Sequence, residues 1–309
     1  MQLHQIEAVV AITEAGSFRK AAEVLGRTQP TLTKSIKALE ESVNLVIFDR
    51  TPRGVQLTEG GERLYKRACT VMADVRAMED EVKQMAGFDG GRVRIGVSPV
   101  GGTVIMPRVL HQFRKRWPRV EVDLVNVMYP DSVNQLREAA IDMVIGPVPV
   151  LDAHGNVVIE RLFDIDLVLT THKSNPMRHT AQLAELSDAH WIIHGSKEGP
   201  SSLFAGTFAG HSGLMPTAFT NCHSLSSTIA MIQEASAFCV LSQQLFNTIA
   251  PSHGIVVVPI ENPLPTFQLS LVTQKTRPLT PAAAELAQHI RRRATTLVKA
   301  GYSSDSHLE

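Results

Sequence analysis

The sequence predicts an α/β chain in three parts: a small helical module with a two-stranded wing, one long helix, and a large region of alternating strands and helices. Three observations carry this. Residues 17–58 are punctuated as helix, tight turn, helix and wing; Leu64 to Met85 repeats apolar residues on a heptad; and from Val93 strand-like runs alternate with helical patterns.

In the first helix Leu3, Ile6, Val10 and Ile12 are expected on one buried face. Gly16 should end it, and Ser17 is a good N-cap for the next helix, where small Ala21 and Ala22 with Leu25 let two helices cross closely. Gly26 closes that helix. Thr28 then caps a third, in which Pro30 is tolerated in the first turn. Leu32, Ile36, Leu39 and Val43 form its inward stripe, while Gln29, Thr31, Thr33, Lys34 and Lys37 lie opposite, with no acid among them. Gln can bond adenine bidentately, Thr offers a hydroxyl and a methyl to thymine, and Lys neutralises phosphate. This layout suits a helix that enters a DNA major groove. Between Arg19 and Arg53 there are seven basic residues against four acids, in a chain whose formal net charge is zero. An ordinary solvated face would explain any one lysine, but not this local surplus together with the helix punctuation.

From Thr58 to about Ala86 there is no Pro, and Leu64, Ala68, Val71, Val75, Met78, Val82 and Met85 fall at spacings of 4 and 3. That is an a/d seam over three heptads. A helix of about 28 residues would run roughly 42 Å, more than one globular core covers, so a second copy's helix is the economical partner. Such a two-fold dimer would present two reading helices to an inverted-repeat operator in double-stranded DNA. The glycine-rich run 87–92 reads as a hinge.

At 309 residues the chain suits about two globular units. With a pI of 7.2 it is no general coat for polyanions, so any DNA contact must be local. Cys69, Cys222 and Cys239 are odd in number and lack C-x-x-C spacing, which points to a reducing compartment without a disulfide framework. No signal-like N-terminus and no apolar run long enough to span a membrane occur, so a cytoplasmic location without membrane contact is expected. His190 and His194 would stand about 13 Å apart on a strand, too far for a ready chelate. No G-x-S-x-G, H-E-x-x-H or P-loop occurs either. Neither catalytic residues, a metal nor a cofactor is therefore expected. The rival reading, a secreted solute-binding protein, fits neither the N-terminal module nor the missing signal.

The first 61 residues resemble the winged helix-turn-helix of LysR-type transcriptional regulators. The matching positions are Gly16, Ser17, Phe18, Ala21, Ala22, Leu25, Thr28, Gln29, Pro30, Ile36, Leu39, Glu40, Phe48, Arg50, Val55, Leu57, Thr58 and Gly61. Thr31, Leu32 and Thr33 replace the more usual Ala, Val and Ser. Asn44 stands where the family usually has Gly, and Asn is the next-best left-handed C-cap. The resemblance implies domains at 1–57 (DNA-binding), 58–87 (linker and dimerisation helix) and 92–300 (an effector-binding domain of two lobes, like periplasmic binding proteins). It also implies a tetramer made of two dimers and adds RNA polymerase to the expected partners. Gln29, Pro30, Thr31, Thr33, Lys34, Lys37, Arg50 and Arg53 are the expected DNA contacts.

In the large region, strands are expected at 93–97, 120–127, 141–146, 167–171, 191–194, 218–222, 237–241 and 268–273, in a mainly parallel sheet arrangement. Helices are expected near 102–116, 131–139, 201–209, 225–234 and 280–298, and residues 162–167 read as a crossover into the second lobe. Ligands bind where strand C-termini meet helix N-termini. The first such junction, Ser98, Pro99, Val100, Gly101, Gly102 and Thr103, offers a hydroxyl and backbone amides to an oxyanion. Small residues also suit a purely structural turn. The resemblance favours a ligand, since Ser98 falls where the family commonly places an effector-contacting Ser or Thr. Tyr129, His194, Ser196, Ser224 and Ser226 are the further candidates to face a small organic acid effector.

Overall fold

The computed structural model describes residues 1–51, 54–149, 156–194, 218–261 and 264–300. The chain divides into two compact units, Met1–Lys83 with Glu138–Ala140, and Gln84–Arg137 with the remainder from Ile141 onward.

The first unit begins with α1 (Leu3–Ala15), α2 (Phe18–Val24) and α3 (Gln29–Val43), followed by the hairpin β1 (Phe48–Thr51) and β2 (Gly54–Leu57). The long helix α4 runs Glu59–Met85. Ser17 and Thr28 cap α2 and α3 as the sequence predicts, accepting from the amides of Lys20 and Thr31. Asn44 adopts φ 50 and closes α3 in the left-handed conformation. The expected face of α1 holds at Val10 and Ile12, which are buried, but Leu3 is exposed and Ile6 half-buried, while Gln5, Ala8 and Val9 are buried as well. The spacing of 3 and 4 that matters starts at Gln5, whose side chain accepts from the Gln2 amide and closes the N-terminus instead of reaching solvent. Val9, Ile12, Ala22, Leu32, Leu39, Ile47 and Phe48 then form one core, with Phe18 edge-on to Phe48.

The heptad seam of α4 is not uniform. Ala68 is buried and Leu64 packs onto the core of α1–α3, while Val71, Met78, Val82 and Met85 are exposed at 39, 59, 62 and 77%. The N-terminal part of the seam thus serves its own chain, and only the later part is available to a second helix.

The second unit has two mixed sheets. The first has the order β4-β3-β5-β12-β6, from β3 (Gly90–Val97), β4 (Arg119–Asn126), β5 (Met143–Pro147), β6 (Val157–Ile165) and β12 (Phe267–Gln274). The second has the order β11-β7-β10-β8-β9, from β7 (Leu167–His172), β8 (His190–His194), β9 (Ala218–Cys222), β10 (Phe238–Ser242) and β11 (Ile255–Val257). The expectation of mainly parallel pairing is corrected. β3 pairs in parallel with β4 and β5, and β8 with β9 and β10, but β12, β7 and β11 all pair antiparallel. The cause is the passage between lobes. β6 leaves the first sheet at Ile165 and β7 enters the second at Leu167, with Asp166 alone between them, so strands that cross enter against the βαβ direction.

Residues 162–167 therefore do hold the crossover, although 162–165 are strand. The 87–92 hinge is also revised, because Gly90 and Gly91 already belong to β3 and only Gly87 turns, at φ +91. The unpredicted β6, β11 and the helix α8 (Gln243–His253) were hidden by charged residues at 160–166 and by Pro251. The remaining helices are α5 (Met106–Phe113), reached through a π turn at Gly101–Ile105, α6 (Asp131–Arg137), α7 (Leu225–Ala235) and α9 (Pro281–Lys299). The helix expected near 201–209 lies outside the described residues. α9 buries Ala282, Leu286, Ile290 and Leu297 against the first sheet and α5.

Gly61 gives a stability test. An exposed helix glycine normally gains about 1 kcal/mol on replacement by alanine. Here a Cβ would stand 2.2 Å from the Ile47 carbonyl oxygen, which is backbone and cannot step aside. Gly61→Ala is therefore expected to destabilise the N-terminal unit by about 1–3 kcal/mol, read by denaturant titration; a neutral or stabilising result would show that α4 does not pack this closely.

Candidate functional site

α3 presents one of two candidate sites. Gln29, Pro30, Thr31, Lys34 and Lys37 are exposed and Thr33 is half-buried. At 100° per residue Gln29, Thr33 and Lys37 follow one row, with Pro30 and Lys34 beside it. Thr31 sits on the far flank, its hydroxyl 2.8 Å from that of Thr28, in a groove shared with Met1, Gln2 and His4. Lys37 comes within 3.9 Å of Glu41, an exposed pair of little energetic weight. Arg50 is paired opposite Val55 in the hairpin, and Arg53 lies outside the described residues.

What aims this helix was not singled out as chemistry in the sequence. Glu40 near the end of α3 accepts from the amides of Ile47 at 2.7 Å and Phe48 at 3.3 Å, which fixes the wing to the helix. Thr58 donates its hydroxyl to the Val46 carbonyl at 2.7 Å and accepts from the Gly61 amide at 2.9 Å, so it caps α4 against the same strand entry.

The second site is a cavity of about 110 Å³ between the two sheets of the second unit. Ser98, Pro99 and Val100 contribute from the β3 junction, with Met128 and Pro147 after β4 and at the end of β5. Across from them stand Ile192 and Ile193 of β8, Val240, Leu241 and Ser242 of β10, and Leu245 of α8. The crossing strands complete its described lining with Ile165, Leu167 and Phe267.

Ser98 is 3% exposed, and its Oγ accepts from the Gly101 amide at 3.3 Å, leaving the hydroxyl able to donate. The Ser98 amide donates to the Ile145 carbonyl at 2.8 Å, locking the junction to β5. Gly101 makes this possible: a Cβ there would meet the Ile145 oxygen at 2.9 Å. Ser242, missed in the sequence, is the corresponding group of the other lobe. It is 7% exposed and caps α8 through the Leu245 amide at 3.1 Å. The signal was present in hindsight as a serine between an apolar strand and a helix.

The other expected residues lie elsewhere. Gly101 and Thr103 shape the turn without lining the cavity, and Tyr129 packs with Val127, Val133 and Leu136. Ser224 caps α7 and bonds Ser226 at 2.9 Å, away from the lining. His194 ends β8, with only its backbone described, and Ser196 is outside the described residues. Among the described residues no cluster of His, Cys, Asp or Glu could hold a metal, and no helix is long and apolar enough to cross a membrane.

Two family models match the chain. "Bacterial regulatory helix-turn-helix protein, lysR family" covers residues 3–62, and "LysR substrate binding domain" covers residues 86–295. The chain belongs to the LysR family. It is a LysR-type DNA-binding transcriptional regulator with a domain for small-molecule effectors, and its LysR relatives are regulators, not enzymes. It is similar to the DNA-binding transcriptional dual regulator OxyR of Escherichia coli K12, at 25% identity over 95% of this chain and 96% of that protein. A probable hydrogen peroxide-inducible genes activator of Streptomyces viridosporus is 34% identical over 57% of this chain, which spans 55% of that relative's length. Among solved structures, full-length CbnR complexed with its target DNA shares the fold at TM-score 0.67 and 20% identity, over 95% of this chain and all of that one.

In this LysR-type regulator the position of α3 against the wing depends on the Glu40 tie. Glu40→Ala is expected to leave the Ile47 and Phe48 amides without their acceptor and to cost about 1–3 kcal/mol of stability in the N-terminal unit. Thermal unfolding followed by circular dichroism checks this; an unchanged midpoint would mean the tie carries no weight.

Proposed function

We propose that this regulator reads an inverted-repeat operator as a homodimer, assembled into a tetramer through its effector domains, and is switched by a small organic acid held between the two lobes. Gln29 and Thr33 contact base edges, Pro30 and Thr31 shape the approach, and Lys34, Lys37, Arg50 and Arg53 hold phosphates. The observation that carries the DNA reading is the acid-free stretch 29–37 of α3, whose exposed residues include Gln29, Lys34 and Lys37. RNA polymerase is the further macromolecular partner this role implies.

Support for the dimer comes from the unpaired later seam of α4, where four large apolar residues are exposed on one helix. Support for an acid in the cavity comes from two hydroxyls at two helix beginnings, where the backbone carries partial positive charge. The peroxide response named for the Streptomyces relative is not carried over. Cys222 and Cys239 are buried, and desolvation pushes the Cys239 thiol up to about 12 and raises that of Cys69 as well. The thiolate is the reactive form, so burial disfavours oxidation at Cys69 and Cys239.

Band-shift titrations with fragments of the regulator's own promoter test the DNA reading. Gln29→Ala is expected to weaken specific binding by about 1–3 kcal/mol and relax base preference. Lys34→Ala should weaken all sequences alike and flatten the salt slope by about one unit. Protein that prefers no fragment over random DNA would refute the assignment. For the dimer, Glu at both Val71 and Val75 is expected to give a smaller species in light scattering while the effector domain stays folded; wild-type protein that is monomeric at micromolar concentration would remove the linker contact.

A further inference from the structure

The described lining of the cavity has a composition that narrows its ligand. Apart from Ser98 and Ser242, every described residue that lines it is apolar, and none carries a charge. Each lobe supplies one hydroxyl, each buried, and each placed at the N-terminal end of a helical segment. Partial positive charge at such ends favours one anionic group. A second charged group would lose its hydration against Met128, Ile193, Val240 or Phe267, with no charged or further polar side chain among the described lining to replace it.

We infer that the effector is a monoacid: a single carboxylate taken by the Ser98 and Ser242 hydroxyls, carried on an apolar body. This rests on the reading that the effector binds in the cavity between the lobes. Among the described residues, the lining offers a polyol, a sugar phosphate or a second carboxylate no charged or further polar side chain to bond. Val240 and Met128, half-buried and on different lobes, set the length of body that fits.

Calorimetry on the full-length regulator tests this with straight-chain monocarboxylates from acetate to heptanoate, benzoate, dicarboxylates of matched carbon number, and glucose 6-phosphate. Affinity is expected to rise about fourfold per added methylene, the equivalent of ~0.8 kcal/mol, and to fall once the cavity is full. Matched dicarboxylates should bind at least about tenfold more weakly. Ser98→Ala and Ser242→Ala should each weaken monoacids by about tenfold without altering the increment per methylene. Val240→Phe, which fills the space, should abolish binding; Met128→Phe, from the other lobe, is the second filler should the first fail to fold. An affinity independent of chain length, or no binding by any monoacid, overturns the inference. Tighter binding of a dicarboxylate or the sugar phosphate, abolished by the fillers, overturns the ligand class but leaves the cavity as the effector site. Binding that both folded fillers leave intact overturns the cavity reading itself.

Discussion

The peptide of Ile47 joins the recognition helix, the wing and the linker helix. Its amide donates to Glu40 of α3, its carbonyl accepts from the Thr58 amide at 3.0 Å, and the same oxygen leaves no room for a side chain at Gly61 of α4. Its own side chain is fully buried in the core shared by α1, α2 and α3. Together with the Phe48–Glu40 and Thr58–Val46 bonds, this peptide indexes three elements by directional contacts as well as apolar ones. Hydrophobic burial alone would hold them together without setting their angles. On the proposed DNA reading, α3 and β1–β2 face one stretch of DNA and need those angles.

A comparable economy holds the effector domain. Asp166 is the single residue between the last strand of one sheet and the first strand of the other, and its carbonyl accepts from the Gln243 amide at the start of α8 at 2.8 Å. The lobe passage is therefore tied to the helix whose cap, Ser242, enters the cavity. A ligand that touches Ser98 on one side and Ser242 on the other contacts both lobes next to their connection. Such a ligand shifts the balance between lobe arrangements only to the extent that it binds them unequally. Because both hydroxyls also terminate helices, the groups that would sense the ligand are the ones that hold the local backbone in place.

The cavity's apolar character changes the weight of the anion argument. From sequence, the small-residue junction at 98–103 looked rich in donors. In the fold, the Gly101 and Gly102 amides are spent on Ser98 itself, at 3.3 Å to its Oγ and 2.8 Å to its carbonyl. The junction offers chiefly a hydroxyl and a helix beginning, and the remaining lining comes from strand ends whose residues read simply as core.

Much of the N-terminal unit was legible before folding because its signals are local. Caps at Ser17 and Thr28, the left-handed closure at Asn44 and the stripe Leu32–Ile36–Leu39 depend on neighbours within a few residues, where backbone sterics and helix periodicity act. Glu40, Thr58 and Gly61 were recognisable only as a family pattern; their roles come from contacts 7 to 12 residues away and from one close backbone approach. In the effector domain, apolar strands such as β10 could be placed almost to the residue, but β6 could not, since Glu160, Arg161 and Asp164 interrupt its apolar positions. The sense of strand pairing, the meeting of Ser98 with Ser242 and the exclusion of Tyr129 and Ser224 from the cavity are long-range outcomes. Local propensity carries no information about which strand crosses between lobes, and that crossing is what brings residues 98, 167, 242 and 267 around one small space.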